Sequence, residues 1–141
     1  MSPEECLYTK EHEWIHVEKD VATIGISDYA AGELGDIVYL ELPEPGSSVS
    51  QMDPIGTIEA VKTVADLFSP VSGEILEVNG DVAANPEIVN KDPYEEGWFI
   101  KIKMSDPGEL DVLFDYEEYK EYLGEQEADE HDDDIQEEED E

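Results

Sequence analysis

Short apolar, β-branched runs, each closed by proline, glycine or acidic residues, divide most of this chain into strand-length segments. Trp14, Ile15 and Val17 open one strand and Val21 to Ile26 forms a second, with Glu18-Lys19-Asp20 as a connection of hairpin length. Ser27 then stands where an N-cap belongs, before a short helix from Asp28 to Leu34 that Gly35 closes. Strand character returns over Ile37 to Leu42 until Pro43-Glu44-Pro45-Gly46 stops it, because proline cannot donate to a ladder. Further strands are expected at Val49, Pro54 to Val61, Val64 to Phe68 and Glu74 to Val78, where Asn79-Gly80 is a hairpin-type turn signal. An irregular stretch, Asp81 to Gly97, leads to a last strand from Trp98 to Met104; it is long for a compact domain and should pack on the surface or carry function. Asp106-Pro107-Gly108-Glu109 starts a helix whose apolar face is Leu110, Leu113, Phe114, Tyr119 and Tyr122, ending near Gly124.

Many short strands with proline and glycine turns predict a mostly β fold, a small sandwich or flattened barrel with a short internal helix and a C-terminal helix. Val49 to Val61 and Val71 to Val89 faintly resemble each other, which hints at two sheet halves related by a pseudo-repeat. Residues 125–141 hold only Ala128 and Ile135 as apolar positions, too few to offset ordering entropy. One domain over residues 1–124 and an acidic disordered tail over 125–141 are therefore expected.

One position departs from turn chemistry. The run Ile58 to Phe68 reads as two strands meeting at Lys62, with no Gly, Pro or Asn-Gly at the reversal. A lysine there suits covalent attachment of a carrier group, since its four-carbon stem leaves the backbone and acylation removes the charge. Taken alone, as one lysine among seven, it reads as a solvated lysine on an exposed hairpin.

Charge narrows the function classes. Seven lysines and no arginine face forty acids, a net charge of −33, and residues 1–124 still carry −21 without the tail. Nucleic acid and anionic membranes both require clustered cations, which are absent. Self-repulsion of this size is relieved by salt, so a host with a salt-rich cytoplasm is expected. No apolar run approaches the roughly 20 residues of a membrane span, and the N-terminus has no signal-peptide pattern, so a soluble cytoplasmic protein is expected. Cys6, the only cysteine, sits beside Glu4 and Glu5, which disfavour its thiolate. Alternation about Trp14 puts His12 and His16 on one strand face, but two histidines without a third ligand read as structural, and no metal is expected. His131 reads as part of a solvated tail, and Tyr94 and Trp98 as packing residues. Motifs for nucleophilic hydrolysis, zinc or phosphate binding are missing, so an enzyme is not expected.

Lys10-Glu11-His12-Glu13-Trp14, Thr23-Ile24-Gly25-Ile26, Leu34-Gly35-Asp36-Ile37-Val38, Glu41-Leu42-Pro43-Glu44-Pro45-Gly46, Ser69-Pro70-Val71-Ser72-Gly73-Glu74 and Pro93-Tyr94-Glu95-Glu96-Gly97-Trp98-Phe99-Ile100-Lys101-Ile102 occur in this order. Together they closely resemble the H-protein family of the glycine cleavage system, over roughly residues 6 to 123. The resemblance implies a lipoyl/biotinyl-domain-like fold and a non-enzymatic shuttle with lipoic acid on Lys62. The family's Glu-Ser-Val before the lysine is matched by Glu59-Ala60-Val61, with Ala60 in place of serine, and the methionines that flank a biotinyl lysine are absent. Implied partners are a pyridoxal-phosphate glycine decarboxylase, a folate-dependent aminomethyltransferase, dihydrolipoyl dehydrogenase and a lipoate-attaching enzyme, served by a monomer. A relay that donates lipoate to other complexes would use the same lysine, and an unmodified interaction module would leave it bare. The resemblance also places Glu13 and Asp66 in a cleft for the aminomethyl-loaded arm, and Glu33 where the family often has histidine.

Overall fold

A computed structural model describes residues 2–124 of the chain; the expected acidic tail lies outside them. Among the described residues nine strands form two open antiparallel sheets, the sandwich form of the expected fold and not a closed barrel. They are β1 (Leu7–Tyr8), β2 (Glu13–Glu18), β3 (Val21–Ile26), β4 (Ile37–Glu41), β5 (Ser48–Val49), β6 (Pro54–Ala60), β7 (Val64–Phe68), β8 (Gly73–Val78) and β9 (Ile100–Met104). The larger sheet runs β1-β2-β3-β9-β8-β5 and the smaller β4-β6-β7. Ile15, Ile24, Ile75, Ile100 and Ile102 of the first share one core with Leu40, Ile58 and Leu67 of the second, as strand alternation requires of sheets that each bury one face.

A second, aromatic cluster lies beyond that core. Cys6, Tyr8, Trp14, Tyr94 and Tyr119 are its buried members. Trp14 and Ile15 are thus both buried although they point to opposite faces of β2. Trp14 stacks on Tyr94 and its indole N–H donates to the Pro93 carbonyl at 3.0 Å. Its ring lies over Gly25, its partner on β3, where any Cβ would press into the indole.

The first helix, α1 (Asp28–Leu34), forms as its sequence dictates. The Ser27 side chain accepts from the Ala30 N–H, and Gly35 ends the helix at φ 77°, a backbone region that costs glycine little.

Three sequence expectations are corrected. Asn79-Gly80 is not a hairpin turn. The Asn79 side chain accepts from the Asp81 N–H as the N-cap of α2 (Gly80–Ala84), and donates to the Glu96 and Trp98 carbonyls. Asparagine at a strand end serves a turn or a cap equally well, and here its side-chain partners decide. The stretch expected to be irregular contains α2 and α3 (Glu87–Lys91), which bury Val82 and Val89 in the core. The C-terminal segment is not one helix. A 3-10 helix over Pro107–Val112 ends at Leu113, and Phe114 exchanges two 2.8 Å backbone hydrogen bonds with Tyr8 before α4 begins over residues 116–124. The Asp115 and Glu118 side chains each accept from the other's backbone N–H, a capping box that starts a new helix. The two-residue β1 had no detectable pattern of its own.

Gly73 permits a close approach between strands. A Cβ there would collide with the Lys103 carbonyl oxygen, a backbone atom held in the β8–β9 ladder. Gly73→Ala is expected to destabilise the fold by about 3 kcal/mol, the upper end of ordinary overpacking; chemical denaturation checks it.

Candidate functional site

The β6–β7 hairpin carries Lys62 at its tip. Glu59 pairs with Val64, the Ala60 N–H bonds to the Thr63 carbonyl at 2.8 Å and the Val61 N–H to the Asp36 carbonyl at 3.0 Å. The turn is therefore closed by backbone bonds from the hairpin itself and from the chain before β4, without turn-forming residues. Lys62 is exposed, between Val61 (68% exposed) and Val64 (62%). The ion pairs among the described residues are Lys101–Glu77 and Lys120–Glu117, so Lys62 enters none.

A cleft of about 710 Å³ opens beside the same hairpin. Tyr29, Ala30, Glu33 and Leu34 of α1 form one wall, a helical i, i+4 arrangement that brings Tyr29 and Glu33 to one face. Glu11, His12 and Glu13, where the chain enters β2, form another. Ile26, Ile58, Ala65, Asp66 and Phe68 complete the lining. Glu13, Glu33 and Asp66, drawn from three separate elements, thus line one cavity.

Glu13 is 1% exposed. Thr9 Oγ1 donates to its Oε1 at 2.5 Å, and the Phe68 N–H on β7 donates to its Oε2 at 3.1 Å. The second bond crosses from one sheet to the other. Burial drives the carboxyl up from 4.5 to about 7, against the opposing pull of these two donors. Glu33 and Asp66 are exposed at the rim. Burial lowers the His12 imidazole below its ordinary value, opposed by the charges of Glu11 and Glu33.

The residue pattern missed Glu11, Tyr29 and His12 as cleft residues. The signal for Tyr29 was its four-residue spacing from Glu33 on a capped helix. His12 was expected on a strand face shared with His16, but it precedes β2 with φ 76°, so alternation does not relate the two. Its Nδ1 lies 2.9 Å from the Tyr119 hydroxyl. Among the described residues no group of three or more His, Cys, Asp or Glu is placed to hold a metal ion. Tyr94 is buried against Trp14, and Lys101 lies over the Trp98 ring. Cys6 is buried and its thiol is pushed up to about 12, chiefly by desolvation and only secondarily by Glu5. No helix among the described residues is long and apolar enough to cross a membrane.

Residues 6–126 match the family described as Glycine cleavage H-protein. The glycine cleavage system H protein of Staphylococcus carnosus is 50% identical over 123 residues, 87% of this chain and 98% of that relative. That of Staphylococcus haemolyticus is 49% identical over the same shares. The crystal structure of a glycine cleavage system H protein from Mycobacterium marinum superposes with a TM-score of 0.78 at 34% identity, covering 89% of this chain and 98% of the other.

Proposed function

The chain belongs to the glycine cleavage H-protein family, and from that premise we propose that it is the lipoyl carrier of the glycine cleavage system, not itself an enzyme, with its arm joined by an amide to Lys62. The observation that carries this reading is the position of that lysine: exposed, free of ion pairs among the described residues, and at the tip of the hairpin whose β7 lines the cleft. The residues suit the group. Ile26, Ala30, Leu34, Ile58 and Phe68 offer an apolar lining for a hydrocarbon arm and its sulfur ring, and Glu11, Glu13, Glu33 and Asp66 supply carboxylates for a cationic amine at its end.

When bound, the lipoyl group supplies a dithiolane able to take up the aminomethyl unit of glycine and give it to a folate-dependent acceptor. The chain's own residues hold and shield. Lys62 provides the amide nitrogen and a flexible stem, which keeps the group concentrated wherever the carrier docks. The cleft excludes water from a fragile load. Glu13, the most buried of the carboxyls, can face a neutral arm protonated and a cationic one ionised, because its proton is held near neutrality. The partners we assign are the glycine decarboxylase, the aminomethyltransferase, dihydrolipoyl dehydrogenase and a lipoate-attaching enzyme. The charge of −33 supports a place in a salt-rich cytoplasm.

Intact-mass measurement tests the reading. After incubation with a lipoate-attaching enzyme, lipoate and ATP, the chain gains one lipoyl group, which peptide mapping assigns to Lys62. A chain that stays at its unmodified mass, or carries the group on another lysine, overturns it.

A further inference from the structure

Tyr119, on α4, is 1% exposed and lies outside the cleft, yet its hydroxyl ends at the corner where two cleft walls meet. That corner is built by His12 and Ser27. The Ser27 N–H bonds to the His12 carbonyl at 2.9 Å, one step beyond the Glu13–Ile26 pair of the β2–β3 ladder. From the corner, the chain leads one way into Glu13 and the other into α1 with Tyr29 and Glu33. The Tyr119 hydroxyl lies 2.9 Å from His12 Nδ1 and 2.7 Å from Ser27 Oγ. Ser27 Oγ in turn accepts from the Ala30 N–H at 3.1 Å, which holds the first turn of α1.

A phenol has one proton, so it can donate to only one of these partners and must accept from the other. His12, Tyr119 and Ser27 therefore form one chain of bonds in which fixing any member orients the others. Two further features tighten it. The Tyr119 ring is stacked on Tyr8, with centroids 4.3 Å apart and planes 4° from parallel, so the hydroxyl cannot swing away. His12 has φ 76°, a conformation unfavourable for a residue with a side chain and kept where its surroundings impose it.

We propose that Tyr119 is a positioning residue of the arm-binding cleft: from behind the wall, α4 sets the orientation of the His12 imidazole and of the first turn of α1, and so how closely the cleft shuts on a loaded arm. The proposal rests on the carrier reading above, since it concerns the same cavity. It gives the C-terminal helix a part in protecting the load.

Tyr119→Phe keeps the ring, its volume and its stack, and removes only the hydroxyl. In the unlipoylated full chain, amide exchange at Ala30 and Ala31 is expected to quicken about fivefold, the equilibrium equivalent of one ordinary hydrogen bond, while the amides of α4 stay protected. In the lipoylated chain, loaded through the decarboxylase and glycine, the lifetime of the load is expected to shorten by a similar factor. Tyr116→Phe, on the same helix but without contact to His12 or Ser27, should change neither. Should Tyr119→Phe fail to fold, Ser27→Gly removes the other end of the bond chain and is judged on the lifetime of the load alone, because it also takes away the acceptor of the Ala30 N–H. Loss of protection throughout α4 would make Tyr119 a docking residue only, and a load held as long as in wild type would show that the corner does not govern the cleft; either result overturns the proposal. A wild-type chain that takes no lipoate overturns the carrier reading and this proposal with it.

Discussion

Lys62→Arg will abolish glycine-dependent exchange of carbon dioxide in a mixture reconstituted with the decarboxylase, and will leave the chain at its unmodified mass after exposure to a lipoate-attaching enzyme. The substitution keeps a positive charge and a long stem at an exposed hairpin tip, so fold stability should change by no more than about 0.5 kcal/mol. What it removes is an amine that can be acylated. A guanidinium stays protonated and delocalised and does not form the amide. The backbone bonds that close the turn, from Ala60 to Thr63 and from Val61 to Asp36, do not involve the side chain, so the arginine will stand where the lysine stood. Loss of exchange with an unchanged melting temperature therefore isolates the chemistry from the charge. Exchange at the wild-type rate would remove Lys62 from the function.

Glu13→Gln will change how stability depends on pH. In the folded chain the Glu13 carboxyl holds its proton up to about pH 7, whereas an ordinary glutamate releases it near 4.5. Between those values the folded state binds a proton that the unfolded state has given up. Stability must then fall as pH rises through the window and level off once both states are ionised. At about 1.4 kcal/mol per pH unit the loss reaches about 3 kcal/mol. Glutamine does not titrate, so denaturant unfolding at a series of pH values should show the wild type losing about that much relative to Glu13→Gln between pH 4.5 and 7. Molar potassium chloride in all samples suppresses the field of the other carboxylates, which both proteins share. Parallel curves would mean that the buried carboxyl titrates normally.

The elements that local chemistry dictates were legible in the sequence. Ser27 and Gly35 bracket α1 because an N-cap oxygen and a left-handed closing residue are needed wherever a short helix starts and stops. The reversal at Lys62 could be inferred because apolar strands flank it on both sides. Distant partners decided the rest. Leu113 and Phe114 continue a helical spacing, but the backbone of Phe114 pairs with Tyr8, more than a hundred positions away, and the helix breaks there. Asp115-Tyr116-Glu117-Glu118 held the sign of a fresh start, hidden among many acids. Asn79 presents the same residue type to a turn or to a cap. The cleft was less legible still. Residue pattern cannot show that one glutamate of a chain with forty acids is buried, and Glu13, Glu33 and Asp66 were grouped through the family resemblance. His12 stands two positions from Trp14 and reads as part of its strand, but β2 begins at Glu13 and the backbone of His12 turns away at φ 76°.

The sheet borders have a consequence for crowded solutions. The large sheet ends at β1 and β5, two residues each, and β1 is already bridged to Phe114. The small sheet ends at β4, whose register is broken by a bulge between Ile37 and Tyr39, and at β7, where the Phe68 N–H is taken by Glu13. Among the described residues these edges offer a neighbouring molecule no long row of unpaired amides on which to extend a ladder. When concentrated electrolyte cancels the mutual repulsion of so many carboxylates, these truncated and interrupted margins still deny the chains a template for fibrous growth.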